Sequence, residues 1–174
     1  MRALAFWKAT VMDTTGFLEE LIELLKDNAI RYCLIGGQAV NAYVEPLVSL
    51  DLTLAVAAGQ LQDVDALLAS TYKVTRFPHS LNVAQAGSDL RVQIQTDPRY
   101  AEFVGRSSPR NVLGLNFPVA ALEDVLKGKV WAVEDPTRRP SKRQKDLADI
   151  QRILEDYPDL RRQVPASVLE RLIS

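Results

Sequence analysis

The stretch Tyr32-Cys-Leu-Ile-Gly-Gly-Gln-Ala-Val-Asn-Ala-Tyr-Val-Glu-Pro-Leu-Val-Ser-Leu-Asp-Leu-Thr-Leu-Ala-Val56 decides how the rest of the chain is read. Tyr32 to Ile35 is a short apolar run suited to a buried strand, and Gly36-Gly37 gives a backbone free to turn sharply and let a ligand come close. Gln38 to Val44 predicts a short helix with Ala39, Val40 and Tyr43 on one face. It ends before Pro46, which lacks a backbone donor and restricts Glu45. Leu50, Leu52, Leu54 and Val56 then alternate with Asp51, Thr53 and Ala55. A strand with that period sends Asp51 and Thr53 to one face and aims a carboxylate beside the glycine turn.

Upstream, Asp13, Thr14 or Thr15 can cap a helix running to about Asn28, with Phe17, Leu18, Leu21, Leu24 and Leu25 as its core stripe. Downstream, Gly59 opens an amphipathic helix carrying Leu61, Val64, Leu67 and Leu68. The period then switches to two, predicting strands over Tyr72 to Arg76, Leu81 to Gln85 and Asp89 to Gln95. In the last of these Leu90, Val92 and Ile94 point one way and Arg91, Gln93 and Gln95 the other, an unusually polar face for a central strand.

Asp97 to Tyr100 reads as a turn into a short helix, Gly105 to Arg110 as a loop and Asn111 to Asn116 as a short strand. Pro118 is expected to start a helix with Val119, Leu122, Val125, Leu126 and Val130 inward, weakened locally by Gly128. After a proline-bearing loop, Ser141 caps a long helix with Leu147, Ile150, Ile153 and Leu154 inward. Pro158 stops it, and Pro165 opens one more short helix. The expectation is an α+β domain with a mixed β-sheet flanked by helices. It is one unit over 1–174, with a core at about 13–117 and a C-terminal helical part at about 118–174.

With 21 Lys plus Arg against 22 Asp plus Glu, global charge gives no reason to wrap nucleic acid or adhere to anionic membrane, so any such function must be local. The lone Cys33 excludes an internal disulfide and a zinc-binding cysteine cluster. A reducing, cytoplasmic setting is the default. No apolar run is long enough to span a membrane, and Met1 to Met12 contains Lys8 and no small-residue cleavage pattern, so the expectation is a soluble, unexported protein.

Strand, Gly-Gly, short helix and Asp-bearing strand in this order resemble the nucleotidyltransferase superfamily with the polymerase-beta-like core, particularly its AbiEii-type and minimal members. In that family the glycine turn holds a triphosphate and an Asp-x-Asp pair binds Mg²⁺. The resemblance covers roughly residues 30–155. Asp51 matches the first carboxylate and the candidate metal ligand. Thr53 stands where the second is expected, and Leu47 where many members carry an Arg. A later strand presents the family's third carboxylate, and Gln93 takes that position, with Gln95 one pleat further on and Asp89 and Asp97 bracketing the strand as substitutes. Lys145-Asp146-x-x-Asp149 matches the Lys-Asp pattern of an AbiEii-type C-terminal helix, and Lys129 matches a lysine of the preceding helix. The resemblance thus implies a toxin–antitoxin-like setting, with Asp51, Lys129, Lys145 and Asp146 as the catalytic group. Lys129 and Lys145 would neutralise the triphosphate, and Asp146 would orient a lysine or help activate an acceptor.

Each candidate also has a plainer reading. Asp51 can bond to a turn at a strand end, and paired glycines serve ordinary turns. Against that, a helix starting at Gly36-Gly37-Gln38 would offer free N–H groups to phosphate. Arg138 to Lys145 holds five cations in eight residues at a helix start, Arg143 among them. They are unfavourable there unless anions are near, or they form a solvated face with i,i+4 pairs Lys142–Asp146 and Lys145–Asp149. His79 and Trp131 read as structural, as does Trp7.

The function expected from these residues is binding of a nucleoside triphosphate at Gly36, Gly37, Gln38, Thr53, Gln93 and Arg143. Nucleotidyl transfer to RNA, protein or a small molecule would be weakened by Thr53 and Gln93, with Mg²⁺ held weakly. The alternative is a non-catalytic module of this fold that binds nucleotide, nucleic acid or a protein partner.

Overall fold

The computed structural model describes residues 16–173. Helix α1 (Phe17–Asp27) follows Gly16, and the capping expectation at Asp13, Thr14 or Thr15 lies outside the described residues, as does Trp7. Its apolar stripe buries Phe17, Leu18, Leu21 and Leu25, with the Phe17 ring 5.0 Å from that of Tyr72. The next elements are β1 (Tyr32–Ile35), a one-turn helix α2 (Gly36–Val40) and β2 (Asp51–Val56). Helix α2 ends earlier than expected. Asn41 turns its side chain onto the loop, donating to Leu47 O at 2.7 Å and accepting from Leu47 N at 3.0 Å, so backbone groups of that loop are satisfied without helix.

Helix α3 (Leu61–Ala69) leads to β3 (Lys73–Phe77), β4 (Ser80–Ala84) and β5 (Arg91–Gln95). A 3₁₀ turn (Pro98–Tyr100), α4 (Glu102–Gly105), β6 (Ser108–Val112) and β7 (Leu115–Val119) come next. The chain closes with α5 (Leu122–Glu134), α6 (Pro140–Asp156), a 3₁₀ segment (Pro158–Gln163) and α7 (Ala166–Leu169). The strands form one seven-stranded sheet in the order β3-β4-β5-β2-β1-β7-β6. It is mixed: β1 is antiparallel to β2 and parallel to β7, and β2 is parallel to β5. The α+β class with a mixed, helix-flanked sheet is therefore as the alternation implied.

The expected elements between Gly105 and Ser141 are corrected, and the single strand expected over Asn111 to Asn116 is split by a turn. Gly105 to Arg110 is not all loop, and Pro118 does not start a helix: Ser108–Val112 and Leu115–Val119 form a hairpin turning through Leu113 and Gly114, both at positive φ (57° and 80°). Pro109 and Pro118 stand opposite each other, so both missing backbone donors fall on one rung of the ladder. At the last long helix, Pro140 rather than Ser141 opens the element, since a first-turn residue needs no backbone donor.

On β2 the even-numbered Leu52, Leu54 and Val56 are buried in the core, and the odd-numbered residues take the other face. Parallel register sets Asp51 beside Arg91, Thr53 beside Gln93 and Ala55 beside Gln95. Register partners share a face, so the polar side of β5 and the Asp51 side of β2 are one surface. Helices α5 and α6 stand over it.

Candidate functional site

That surface and the two helices enclose a cleft of about 330 Å³, within the range typical of small-molecule sites. Gly36, Gly37, Asp51, Thr53, Gln93, Lys129, Lys145 and Asp146 all line it. Gln38 and Arg143 do not. Gln38 is buried, its amide donating to Ser49 O at 3.3 Å and accepting from Asn41 at 3.1 Å, so it braces the loop before β2. Arg143 donates to Arg138 O at 3.0 Å and to the carbonyls of Asp135 and Pro136, holding the loop between α5 and α6.

Gly36 adopts φ +73°, and a Cβ there would come within 3.3 Å of Thr53 Cβ. Glycine is needed on both counts: backbone conformation and closeness of the neighbouring strand. Gly37 is less constrained, the nearest atom to its added Cβ being Asp149 Oδ2 at 3.7 Å. Because α2 is a single turn, the phosphate-binding helix start expected here is short, and a carboxylate of α6 lies against it.

On the strands, Asp51 is not a free carboxylate. Its Oδ1 lies 2.8 Å from Arg91 Nε, and its backbone N–H donates to Ser49 Oγ at 3.1 Å. Thr53 and Gln93 add only neutral oxygen and amide groups. Among the described residues no three His, Cys, Asp or Glu side chains are grouped as a metal ion would need. Mg²⁺ requires hard oxygen ligands in near-octahedral array and sheds water reluctantly. One carboxylate already held by a guanidinium, with a hydroxyl and an amide beside it, does not fit that requirement.

The helices present the opposite arrangement. Lys129 on α5 is buried, with Nζ 3.0 Å from Asp146 Oδ1 and 2.8 Å from Asp149 Oδ2. Asp146 also accepts from Arg138, whose Nη2 is 3.1 Å from Oδ1 and whose Nε meets Oδ2. Asp149 accepts from Arg152 at 2.8 Å, and Arg152 reaches on to Asn41 Oδ1 and the Glu45 carbonyl. Buried charges of this kind persist only when paired and hydrogen-bonded. The i,i+4 pairs Lys142–Asp146 and Lys145–Asp149 do not form, because both aspartates turn inward to Lys129. Lys142 and Lys145 are consequently left without an ion-pair partner among the described residues, at the cleft wall.

Several cleft residues escape sequence reasoning. Arg91 reads there only as part of a polar strand face; its partnership with Asp51 depends on a register between strands that are distant in sequence. Arg152 carries a readable signal, three residues after Asp149 on one helix face. Tyr100 also lines the cleft. Its edge approaches so near that a Cβ on Gly128 would lie 3.1 Å from Cε1, which is the packing reason for a glycine inside α5. Tyr100, Phe103 and Trp131 form one aromatic cluster, with the Arg99 guanidinium 4.4 Å over the Trp131 ring. Trp131 is thus a packing residue. Burial pushes the Tyr100 hydroxyl up to about 12.

No family model matches this sequence, and no curated protein does so. Solved structures do. The chain is similar to the antibiotic-resistance factor ANT(2'')-Ia, with a TM-score of 0.60 and 15% identity over 91% of this chain and 89% of that one. It is similar to the lincosamide antibiotic adenylyltransferase LnuA, solved with lincomycin bound, at a TM-score of 0.53 and 15% identity, covering 80% of this chain and 98% of that one. An antigenic nucleotidyltransferase-like protein from Paracoccidioides brasiliensis matches at a TM-score of 0.50 and 14% identity, over 97% and 94% of the two chains.

Proposed function

We propose, from the nucleotidyltransferase-superfamily fold that these neighbours share with the chain, that the cleft binds a nucleoside triphosphate and that nucleotidyl transfer from it is slow or lost. The observation that carries the reading is the pair Lys142 and Lys145. Two cations with no ion-pair partner among the described residues line the same cleft as Gly36, Gly37 and Asp51. An ammonium whose helical carboxylate partner has turned away is free to meet phosphate oxygens. Arg138 stands on the same wall, fixed by Asp146.

In this reading Lys129 acts through the two aspartates it is paired with. Its ammonium is spent on Asp146 and Asp149, so it holds α5 to α6 and sets the cleft wall, and Asp146 is the residue that orients it. Weak transfer follows from the strands. In-line phosphoryl chemistry asks for charge stabilisation at the reacting phosphate. Asp51, Thr53 and Gln93 are a poor donor set for the divalent ion that usually supplies it. Mg²⁺ is therefore no more than a weak companion of the bound nucleotide.

Calorimetric titration with ATP, CTP, GTP and UTP, each with and without Mg²⁺, tests the reading. Saturable binding of at least one at sub-millimolar concentration supports it. No binding of any of the four at millimolar concentration overturns it.

A further inference from the structure

Resting on the cleft as a triphosphate site, we propose that Arg91 holds the charge-neutralising place of a divalent ion, so that the polyphosphate binds without metal. Asp51 and Arg91 are register partners on β2 and β5, and Arg91 Nε lies 2.8 Å from Asp51 Oδ1. The pair sits at the cleft floor, where a bare carboxylate would repel an incoming phosphate. A guanidinium paired with the carboxylate cancels that charge. Its fork shape lets one edge meet a carboxylate while other N–H groups meet a second anion. Among the described residues Arg91 has no other side-chain partner, and its side chain is 66% exposed. It can therefore bridge Asp51 and a phosphate oxygen.

A metal ion would have to displace Arg91 from Asp51 and then complete its shell from Thr53 and Gln93, both neutral. The rest of the cleft favours the anion over the cation. Its lining carries Arg91, Lys129, Arg138, Lys142, Lys145 and Arg152 against four carboxylates. Those carboxylates are all paired: Asp51 with Arg91, Asp124 with Arg106, Asp146 and Asp149 with the buried cations. A site built with a surplus of fixed cations needs no mobile one to accept a polyphosphate.

The two accounts of Asp51 give opposite signs. In a metal-dependent site Asp51 is a ligand and its loss abolishes binding; here Asp51 is a competitor for Arg91 and its loss helps. The test is calorimetric titration of the full chain with inorganic triphosphate, in EDTA and in MgCl₂, for the native protein, Asp51→Asn and Arg91→Ala. The native chain binds in EDTA at least as tightly as in MgCl₂. Asp51→Asn binds about threefold to tenfold more tightly in EDTA, and Arg91→Ala about tenfold more weakly, as expected when a single charge-assisted hydrogen bond to phosphate is strengthened or removed. Binding seen only with MgCl₂, or lost in Asp51→Asn, overturns the inference and leaves the triphosphate reading in place. Absence of binding by the native chain in both buffers overturns both.

Discussion

Lys129 Nζ stands 2.8 Å from Asp149 Oδ2, so one buried ammonium on α5 fastens the carboxylate that α6 lays against Gly37. The same ammonium reaches Asp146, and the two aspartates otherwise keep one arginine each. Lys129→Met removes the shared cation and leaves two carboxylates, nearly buried and close to each other, underneutralised. Breaking such a pair from one side costs roughly 3 kcal/mol. Urea denaturation should show that loss, and Lys129→Met/Asp146→Asn should cost less than the sum of the two single changes. Strict additivity would mean that the residues do not act as one network.

The glycine turn separates strain from contact. Gly36→Ala places a side chain at φ +73° and 3.3 Å from Thr53 Cβ, whereas Gly37→Ala meets only Asp149 Oδ2 at an ordinary 3.7 Å. Gly36→Ala should destabilise by about 1–2 kcal/mol and Gly37→Ala by much less. Thermal or denaturant melts of the two variants check this, and equal losses would contradict the assigned turn geometry.

Cys33 lies fully buried on β1, and burial, then the Asp124 carboxylate, pushes its thiol from its ordinary 9.0 up to about 12. In the unfolded chain the thiol ionises near its ordinary value. The folded state therefore holds more protons between about pH 9 and 12, and stability present below pH 9 falls as pH rises through that window. At pH 8 the native thiol should resist alkylation and become reactive only on unfolding. Rapid labelling of the native protein would place Cys33 elsewhere than in the core.

Much of this was readable before the structure, and the reason lies in local pattern. Strict alternation from Leu50 to Val56 fixed which way Asp51 and Thr53 point, and the helical spacing of Leu147, Ile150, Ile153 and Leu154 fixed the inward face of α6, with Asp146 and Asp149 also buried on it. What escaped was set by distant partners. The hairpin at Ser108–Val119 was hidden because Pro109 and Pro118 argue against strand when each is read alone, and only their opposition makes them compatible. Likewise, Lys142–Asp146 and Lys145–Asp149 are good helical pairs by spacing. A lysine on another helix outcompetes them because burial strengthens its attraction. Gln38 and Arg143 do not line the cleft because backbone carbonyls of neighbouring loops take their donors.

Two changes should turn the strand face toward metal binding. Thr53→Asp adds a second carboxylate about 6–7 Å from Asp51 at Cα on the same face, and Arg91→Ala releases Asp51 from its ion pair. The double variant should bind Mn²⁺ measurably by paramagnetic titration where the native chain binds far more weakly. Tight Mn²⁺ binding by the native chain would show that Arg91 does not hold Asp51 away from metal.

Nucleotide is expected in the cleft between the Asp51 face of the sheet and α6, and photolabelling with an azido-ATP followed by peptide mapping checks this. The label is predicted on peptides spanning 47–53, 91–95 or 138–146, all contributing to the cleft lining. Inorganic triphosphate should suppress it, and Lys142→Ala/Lys145→Ala should reduce it strongly. Label confined to peptides outside the cleft, or insensitive both to triphosphate and to the loss of the two lysines, would contradict the claim.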